Sequence, residues 1–280
     1  MSAAFTLLHE ATCRGTDFWG RPSAITMSPS RLPGWYWKQP DGTALPINHH
    51  LIGHARPRRI ILRHERNALH VFEHIGVLRF LGLDRICLHA SRWPPYHGCA
   101  GGLWTALSSA CAETPAASQT WVTVTRPITW RYPRHRGGQE AFTTFLPAKE
   151  QKLFLAVLCN FPGIGEREVR LCLPDDQHHL PSILHARAFG HPGFLRHPAR
   201  FASKIGLWPH AQRICWFDGS NAEAVLDEIV WHRAQDLLGA LSILCCDGRM
   251  LAGTVVSHCS GHYADAQVVH EAGSHLITLV

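Results

Sequence analysis

The sequence predicts an α+β protein built from two similar two-layer domains. Two observations indicate this fold class: short β-prone stretches lie between turn clusters, and two longer segments have apolar residues at three- and four-residue spacing. Each half of the chain runs from predicted strands to a helix that bears a histidine and a carboxylate, and then to another strand. This order of elements predicts a duplicated α+β unit.

The first half is predicted to open with strands and to continue with a helix. Its strands are predicted at three β-prone stretches: 24–27, 58–63 and 85–90. The run 67–81 has helical spacing, with Asn67 as the predicted N-cap and Gly82 as the predicted stop. A second, short helix is predicted at 103–110.

The second half is predicted to follow the same order. Its strands are predicted at three stretches: 120–132, 141–146 and 241–246. The turn RHRGG at 134–138 would join the first two as a hairpin. The clearest helix is predicted at 221–241, where Ser220 and Glu223 form a capping box.

A predicted linker divides the two halves. Residues 111–119 are small and polar and contain Pro115, a composition that is typical of connecting segments. The sequence therefore predicts an N-terminal domain at 1–115 and a C-terminal domain at 119–280.

Composition excludes several classes of protein. Among 280 residues, 46% are hydrophobic and 17% are charged, which predicts an ordered globular chain. The formal charge is +6, but Lys and Arg are scattered, so no nucleic-acid partner is expected. No apolar stretch reaches the ~18 residues that span a bilayer, and no secretory signal is evident, so we expect a cytoplasmic protein. The ten cysteines include no C-x-x-C pair and are expected to be reduced.

The run HVFEH contains a first group of candidate site residues. His70 and His74 are predicted on one helical face, with Glu73 beside them. A neutral imidazole binds zinc, and a neighbouring carboxylate can take a proton from metal-bound water. In a peptidase of the H-x-x-E-H type, both histidines and a downstream Glu would be ligands. An ordinary polar helix face in a chain with 21 histidines is the alternative.

The second long helix and a later loop contain further candidates. His232 and Asp236 lie one helical turn apart, so their side chains can converge on one point or form an ordinary hydrogen-bonded pair. Packing of the two long helices against each other would unite three ligands, the number in a catalytic zinc site. His258 and His262 follow a strand-like stretch, and Gly261 would allow an unusual turn there. Either histidine is an acid candidate or a solvated loop residue.

Three motifs together resemble one enzyme family. HVFEHIGVLRFLGLD at 70–84 resembles the helix motif of UDP-3-O-acyl-N-acetylglucosamine deacetylases, the zinc enzymes of lipid A synthesis. DEIVWHRAQDLLGAL at 227–241 is similar to their second metal motif, and SGH at 260–262 to their catalytic-histidine loop. Weaker similarities occur in the family's order at 20–30, 94–100, 161–165 and 186–190. The resemblance extends over nearly the whole chain.

The resemblance implies a fold and a set of roles. The fold is two similar α+β domains, with helices sandwiched between two outer sheets and the metal site at the domain interface. The implied roles are those of metal ligands (His74, His232 and Asp236), catalytic base (Glu73) and acid (His262). His70 becomes a neighbour of the site. The implied cofactor is Zn²⁺, and Fe²⁺ is the alternative because two imidazoles and one carboxylate do not select zinc by themselves.

Several expected recognition positions depart from the family pattern: Ala188 for Thr, Arg233 for Lys, Cys259 for Lys, Trp19 for His, His97 for Asp, and WPHAQ at 208–212 for a Gly-Gly-Ser stretch. Ala188 removes a hydrogen bond near the reacting carbonyl, whereas Arg233 keeps a positive charge. Phe189 and Arg233 are the predicted substrate contacts.

The predicted function is therefore zinc-dependent removal of an N-acyl group from a small molecule, and a monomer is expected. The leading substrate hypothesis is the UDP-linked acylated amino sugar of lipid A synthesis. The alternatives are a divergent paralogue that acts on another acylated amine, and a non-catalytic metal-binding relative.

Overall fold

The computed structural model describes residues 3–53, 59–115, 119–132, 140–161, 165–190, 210, 213–216 and 222–279. These residues form a mixed α/β chain with several sheets and few helices. No helix within these ranges is both long and apolar enough to cross a bilayer. All ten cysteines lie within these ranges, and none forms a disulfide with another.

Among the described residues, the first nine strands form one five-stranded sheet and two antiparallel pairs. They are β1 (Ala3–Leu7), β2 (Ala11–Thr16), β3 (Pro22–Pro29), β4 (Trp35–Lys38), β5 (Ala44–Pro46), β6 (Ile61–His64), β7 (Asn67–His70), β8 (Ile86–Ala90) and β9 (Cys111–Pro115). The large sheet has the order β2-β3-β8-β4-β5, with β4 and β8 parallel. In β3 alternate residues are buried, which is the pattern of a strand with one face on a core. The strands predicted at 24–27 and 85–90 correspond to β3 and β8, and the strand predicted at 58–63 overlaps β6, with residue 58 outside the described residues.

The other ten strands form a second five-stranded sheet and two smaller ones. They are β10 (Trp121–Val124), β11 (Ile128–Arg131), β12 (Phe142–Leu146), β13 (Leu153–Phe161), β14 (Gly165–Leu173), β15 (Phe189–Gly190), β16 (Cys215–Trp216), β17 (Met250–Leu251), β18 (Gly253–His258) and β19 (Leu276–Thr278). The large sheet has the order β11-β12-β18-β13-β14, with β13 and β18 parallel. The predicted pairing of β11 with β12 is confirmed, whereas the turn 134–138 lies outside the described residues.

The described ranges include five α-helices beside the sheets: α1 (Phe72–Gly76), α2 (Gly101–Ser108), α3 (Leu180–His185), α4 (Ala222–Leu241) and α5 (His262–Gly273). A 3-10 turn at Val77–Leu81 continues α1, and another at Ser242–Leu244 continues α4. The helices predicted at 103–110 and 221–241 correspond to α2 and α4. The capping residue Ser220 lies outside the described residues.

The helix predicted at 67–81 is wrong in its first third. Asn67–His70 is strand β7, which pairs with β6 and is separated from α1 by Val71 in a left-handed conformation with φ 58°. A short apolar run fits a buried strand as well as a helix, and pairing with β6 decides between them here. His70 and His74 therefore do not share a helical face. The predicted stop at Gly82 is confirmed, since its φ of 87° ends the 3-10 turn.

Two other predicted elements are also corrected. Residues 241–246 are not a strand, because α4 extends to Leu241 and the 3-10 turn follows it into the core. Their continuous apolar character reflects burial on every side rather than a sheet. The predicted linker 111–119 begins with β9, which pairs with β1 along its full length, and residues 116–118 lie outside the described residues.

Helix α4 lies at the centre of the molecule. It packs against α1, α3 and α5 and against strands β13 and β14. Ala234, Leu237 and Leu238 are fully buried, whereas Asp227 near the start of the helix is exposed, so it is the C-terminal half of α4 that lies inside the protein. At the crossing with α1, a β-carbon on Gly239 would overlap the carbonyl oxygen of Glu73, so only glycine fits there.

A buried arginine joins the first half of the chain to the second. Arg79 is 0% exposed, its Nε donates to the carbonyl oxygen of Cys245 at 3.1 Å, and its Nη2 donates to that of Arg249 at 3.0 Å. The backbone N–H of Trp35 also donates to the carbonyl oxygen of Cys246. The segment after α4 is therefore hydrogen-bonded to elements that precede residue 115.

We expect Gly239→Ala to destabilise the protein by about 3 kcal/mol or more, because the added methyl group must displace the backbone of α1. In an ordinary exposed helix the same change would stabilise by about 1 kcal/mol, so the sign itself is diagnostic. Urea unfolding followed by circular dichroism measures the difference. The control is Gly15→Ala, whose new β-carbon would make only an ordinary 3.4 Å contact with Pro95. Unchanged stability of Gly239→Ala would contradict the observed crossing.

Candidate metal centre

The crossing of α1 and α4 brings together His74, His232 and Asp236. His74 lies on α1, and the other two lie one turn apart on α4. Nε2 of His74 is 3.6 Å from Oδ1 of Asp236, and Nε2 of His232 is 3.5 Å from the same oxygen. The nearest ligand atoms of all three residues lie within 4.8 Å of one another. The three predicted metal ligands therefore converge on one point.

The spacing and the bonding of these atoms fit a metal ion. Bonds of ~2.1 Å in a tetrahedral zinc site separate neighbouring ligand atoms by roughly 3.4 Å, close to the separations found here. Oδ1 of Asp236 is buried and has no hydrogen-bond partner among the described residues. A buried carboxylate oxygen without a donor is costly, and a cation in contact with it would remove that cost.

Hydrogen bonding orients the imidazole of His232. Its Nδ1 lies 2.8 Å from the carbonyl oxygen of Ala186, which can only accept, so Nδ1 carries the hydrogen and Nε2 presents its lone pair towards Asp236. Burial lowers the pKa of His232 to about 4, despite the opposing effect of Asp236. His232 is therefore neutral at pH 7, which is the form that binds a metal.

Glu73 lies next to the three converging residues. It is 1% exposed, and its Oε2 accepts a hydrogen bond of 2.8 Å from the backbone N–H of Ile60. Burial, followed by the negative charge of Asp236, raises the pKa of Glu73 well above its usual range. Carboxylate and imidazole atoms of Glu73, Asp236 and His262 also lie within 4.8 Å of one another.

Asp236 is the negative centre of this cluster. Burial alone would raise its pKa, but the imidazoles of His232, His262 and His74 outweigh burial and lower it. Nε2 of His262 is 3.5 Å from Oδ2 of Asp236, so the two carboxylate oxygens face different histidines. Burial lowers the pKa of His262, and Asp236 offsets only part of that effect.

The surroundings of His262 differ from the predicted loop. His262 is the first residue of α5, and Gly261 before it is extended, with φ −155°, a conformation open to any residue. The unusual backbone lies instead at Cys259, which has φ 48°. His258 lies apart from the cluster, because its Nδ1 donates to the carbonyl oxygen of Glu140 at 2.7 Å.

His70 lies outside the converging group. Its ring stacks on Trp93 with centroids 4.0 Å apart, and its Nδ1 accepts a hydrogen bond of 3.1 Å from Nε of Arg59. No group of metal-ligating atoms within the described ranges includes His70.

The two predicted substrate contacts lie in different surroundings. The ring of Phe189 meets that of His232 edge to face, with centroids 5.9 Å apart, so it borders the metal centre. Arg233 is buried, and its Nη2 forms an ion pair of 2.6 Å with Asp265. Its ion-pair partner thus lies on α5.

The sequence-based prediction missed Tyr96. A cavity of about 20 Å³, enough for one water molecule, adjoins His74 and is lined by apolar and aromatic residues together with Tyr96 and His97. The Tyr96 ring stacks on that of His74 with centroids 6.2 Å apart. Its position in the weaker motif at 94–100 was the available signal.

The remaining departures from the family pattern are only partly described. Trp19 is 57% exposed. The backbone of Ala188 is held by its N–H donating to Gly98 and its carbonyl oxygen accepting from Cys215. Of residues 208–212 only His210 is described, and it is buried.

Two imidazoles and a carboxylate that converge in a buried site, with a glutamate and a third histidine beside them, are the class of site found in mononuclear metal hydrolases. The family model for UDP-3-O-acyl N-acetylglycosamine deacetylase matches residues 5–272, and the chain belongs to this family. No individual curated protein gives a significant match. The resemblance drawn from the motifs is confirmed, and membership implies a deacetylase enzyme with a small-molecule substrate.

In protein freed of metal by a chelator, Glu73→Gln should raise the free energy of unfolding at pH 7 by roughly 1–3 kcal/mol. This is the usual cost of an uncompensated buried polar group, which the neutral amide would remove. A raised folded-state pKa means that the native state binds the extra proton, so the wild type loses stability as pH rises above the unfolded pKa of about 4.3. The gain should therefore vanish near pH 4. Urea titrations at several pH values measure it.

The matched control for this change is Glu228→Gln. Glu228 pairs with Arg187 at 2.6 Å, and hydrogen bonds from Arg187 lower its pKa. That glutamate stabilises the native state above its unfolded pKa, so Glu228→Gln should destabilise at pH 7. The same sign for both variants would contradict the electrostatic assignment of Glu73.

Proposed function

We propose that the protein is a zinc-dependent amidohydrolase that removes an N-acyl group and binds its metal through His74, His232 and Asp236. The observation that carries the proposal is the convergence of two Nε2 atoms on one buried, otherwise unpartnered oxygen of Asp236. Membership of a deacetylase family supports the reaction type.

The ligand set supports zinc as the cofactor. Two imidazoles and one carboxylate leave a further position open, as in catalytic zinc sites, and iron(II) is the alternative for the same ligands. When bound, the metal would supply Lewis acidity, by polarising a water molecule and the substrate amide carbonyl.

Glu73 is the proposed general base. Burial, followed by the charge of Asp236, raises its pKa, which makes the carboxylate a stronger proton acceptor than an exposed glutamate. The hydrogen bond from Ile60 holds one carboxylate oxygen, so the side chain has a defined orientation towards Asp236. In the proposed reaction Glu73 accepts the proton of the attacking water.

His262 is the proposed acid. Its low pKa keeps it neutral in the resting site, and negative charge that develops on the carbonyl oxygen favours its protonated form. A proton taken up from solvent gives that form, which donates a hydrogen bond to the oxyanion. His262 or Glu73 then returns a proton to the departing amine.

We also propose the two-domain arrangement, with domains at 1–115 and 119–280, helices between two outer sheets and the metal centre at the interface. Each described sheet takes its strands from one side of this boundary only, which supports the division. The proposed ligands also come from both sides, since His74 precedes the boundary and His232 and Asp236 follow it. The cytoplasmic location and the monomeric state stay predictions.

The proposed substrate is the UDP-3-O-acyl-N-acetylglucosamine that the family description names, in the lipid A pathway. A second candidate is another acylated amine, favoured by the methyl group of Ala188 at a position where the motif has a hydroxyl. A non-catalytic role is less well supported, because Glu73 and His262 both lie within 4.8 Å of Asp236 atoms.

Metal analysis tests the ligand assignment. We expect the wild type to hold one metal equivalent, and the double variant His232→Ala, Asp236→Ala to hold none. Glu73→Gln should keep the metal and lose about 10²- to 10⁴-fold in kcat, the usual contribution of a general base. His258→Ala serves as the histidine control and should change neither quantity. A wild type that stays metal-free after reconstitution would refute the site.

Acetate release distinguishes the substrate hypotheses. The zinc-loaded protein should release acetate from UDP-3-O-acyl-N-acetylglucosamine, and a Glu73→Gln sample purified in parallel corrects for contaminating host enzyme. Release only from a simpler N-acetyl amine would reject the lipid A substrate and favour the divergent paralogue. No release from either would favour the non-catalytic relative.

A further inference from the structure

A buried ion pair joins the two helices that carry the proposed metal ligands and the proposed acid. Arg233 directly follows His232 on α4, and Asp265 lies three residues after His262 on α5. Arg233 is 4% exposed and Asp265 is 0% exposed, and Nη2 of the first is 2.6 Å from Oδ1 of the second. Few charges are removed from water this completely unless they are paired.

The same arginine holds both ends of the turn that precedes α5. Its Nη2 donates to Oγ of Ser257 at 3.1 Å, and its Nε donates to the carbonyl oxygen of Ser260 at 3.1 Å. Thr143 on β12 donates to Oδ1 of Asp265 at 3.0 Å and also contacts Oγ of Ser260 at 2.6 Å. One cation therefore connects α4, the end of β18 and the start of α5.

The turn that Arg233 holds is strained. Cys259 lies between the two serines with φ 48°, a left-handed conformation that is unfavourable for a residue with a β-carbon. Such a conformation persists only where its surroundings determine it. The backbone N–H of Cys259 donates to the carbonyl oxygen of Leu158 at 2.8 Å, and the contacts of Arg233 on both sides of Cys259 complete the constraint.

His262 depends on this turn for its position. Its Nδ1 is buried and has no hydrogen-bond partner among the described residues, so no such bond at Nδ1 orients the ring. The direction of the imidazole towards Asp236 is instead set by the backbone from which α5 begins.

We propose that Arg233 and Asp265 are positioning residues, which hold the strained turn at Cys259 and thereby direct His262 at the metal centre. The inference rests on the proposed function, since it assigns His262 the role of acid. It also means that Arg233 binds other residues of the protein rather than a phosphate group of the substrate.

The test is a double-mutant cycle between Asp265 and His262. With UDP-3-O-acyl-N-acetylglucosamine as probe, Asp265→Asn should lower kcat about 10- to 100-fold, with KM changed less than about threefold, because an interaction through the acid is felt in the transition state. In a His262→Ala background the same change should have no further effect on kcat. Equal losses in both backgrounds would overturn the proposal.

The control is Glu271→Gln, which removes a carboxylate paired with Arg126 at 2.9 Å on the exposed side of the same helix. It should leave kcat unchanged. Arg233→Lys separates the two roles of the arginine: a fall in kcat at constant KM supports positioning, and a raised KM with constant kcat assigns Arg233 to the substrate. If Asp265→Asn does not fold, Thr143→Val replaces it in both backgrounds, with a smaller effect expected.

Nitrogen-15 spectra of the histidine side chains separate failure of this inference from failure of the proposed function. A wild type without deacetylase activity overturns the proposed function alone. The His262 ring resonances, assigned from a His262→Gln sample, should still shift in Asp265→Asn and not in Glu271→Gln. Unshifted resonances in Asp265→Asn would overturn the positioning role whatever the activity.

Discussion

Helices α1 and α4 reach their observed separation because neither Gly76 nor Gly239 carries a side chain where they cross. A β-carbon at either position would overlap atoms of the opposite helix. This contact brings Glu73 and His74 beside Asp236, which lies one turn before Gly239. The relative position of the two helices, rather than any single side chain, determines whether the ligands converge.

The convergence of these side chains places two buried carboxylates close together, and the protein's own groups balance their negative charge only in part. Two carboxylates, Glu73 and Asp236, are buried within reach of each other. Burial, followed by the charge of Asp236, raises the pKa of Glu73, whereas three imidazoles lower the pKa of Asp236 against the effect of burial. The neutral His232 contributes a lone pair rather than a positive charge. A divalent cation in contact with Asp236 would balance the carboxylates, which is consistent with a site built to be completed by a metal.

How much of this site the sequence could predict depends on how local each relationship is. His232 and Asp236 lie one turn apart on a long helix, so their convergence follows from helical periodicity alone. His74 and His262 could be joined to them only through the ordered motifs, because their proximity arises from packing. His70 was placed on the wrong element because β-pairing with β6, which the local pattern does not record, overrides the apolar spacing.

The contribution of Arg233 was also beyond the sequence. The local sequence does not distinguish a buried arginine from an exposed one in a helix that carries several charged residues, and the partner Asp265 lies 32 residues away. Similarly, the stacking of Tyr96 on His74 joins a loop to α1 through tertiary packing. Short-range spacing thus predicted two of the proposed ligands, the ordered motifs added His74, and the residues that support them became visible only in three dimensions.

The buried Arg79 has a consequence for biosynthesis. Its carbonyl acceptors, at Cys245 and Arg249, lie 166 and 170 residues later in the sequence. During translation the first half is therefore synthesised well before those acceptors, and Arg79 stays without them until residue 249 has left the ribosome. The native surroundings of this buried guanidinium thus form only after the segment that follows α4 has been made.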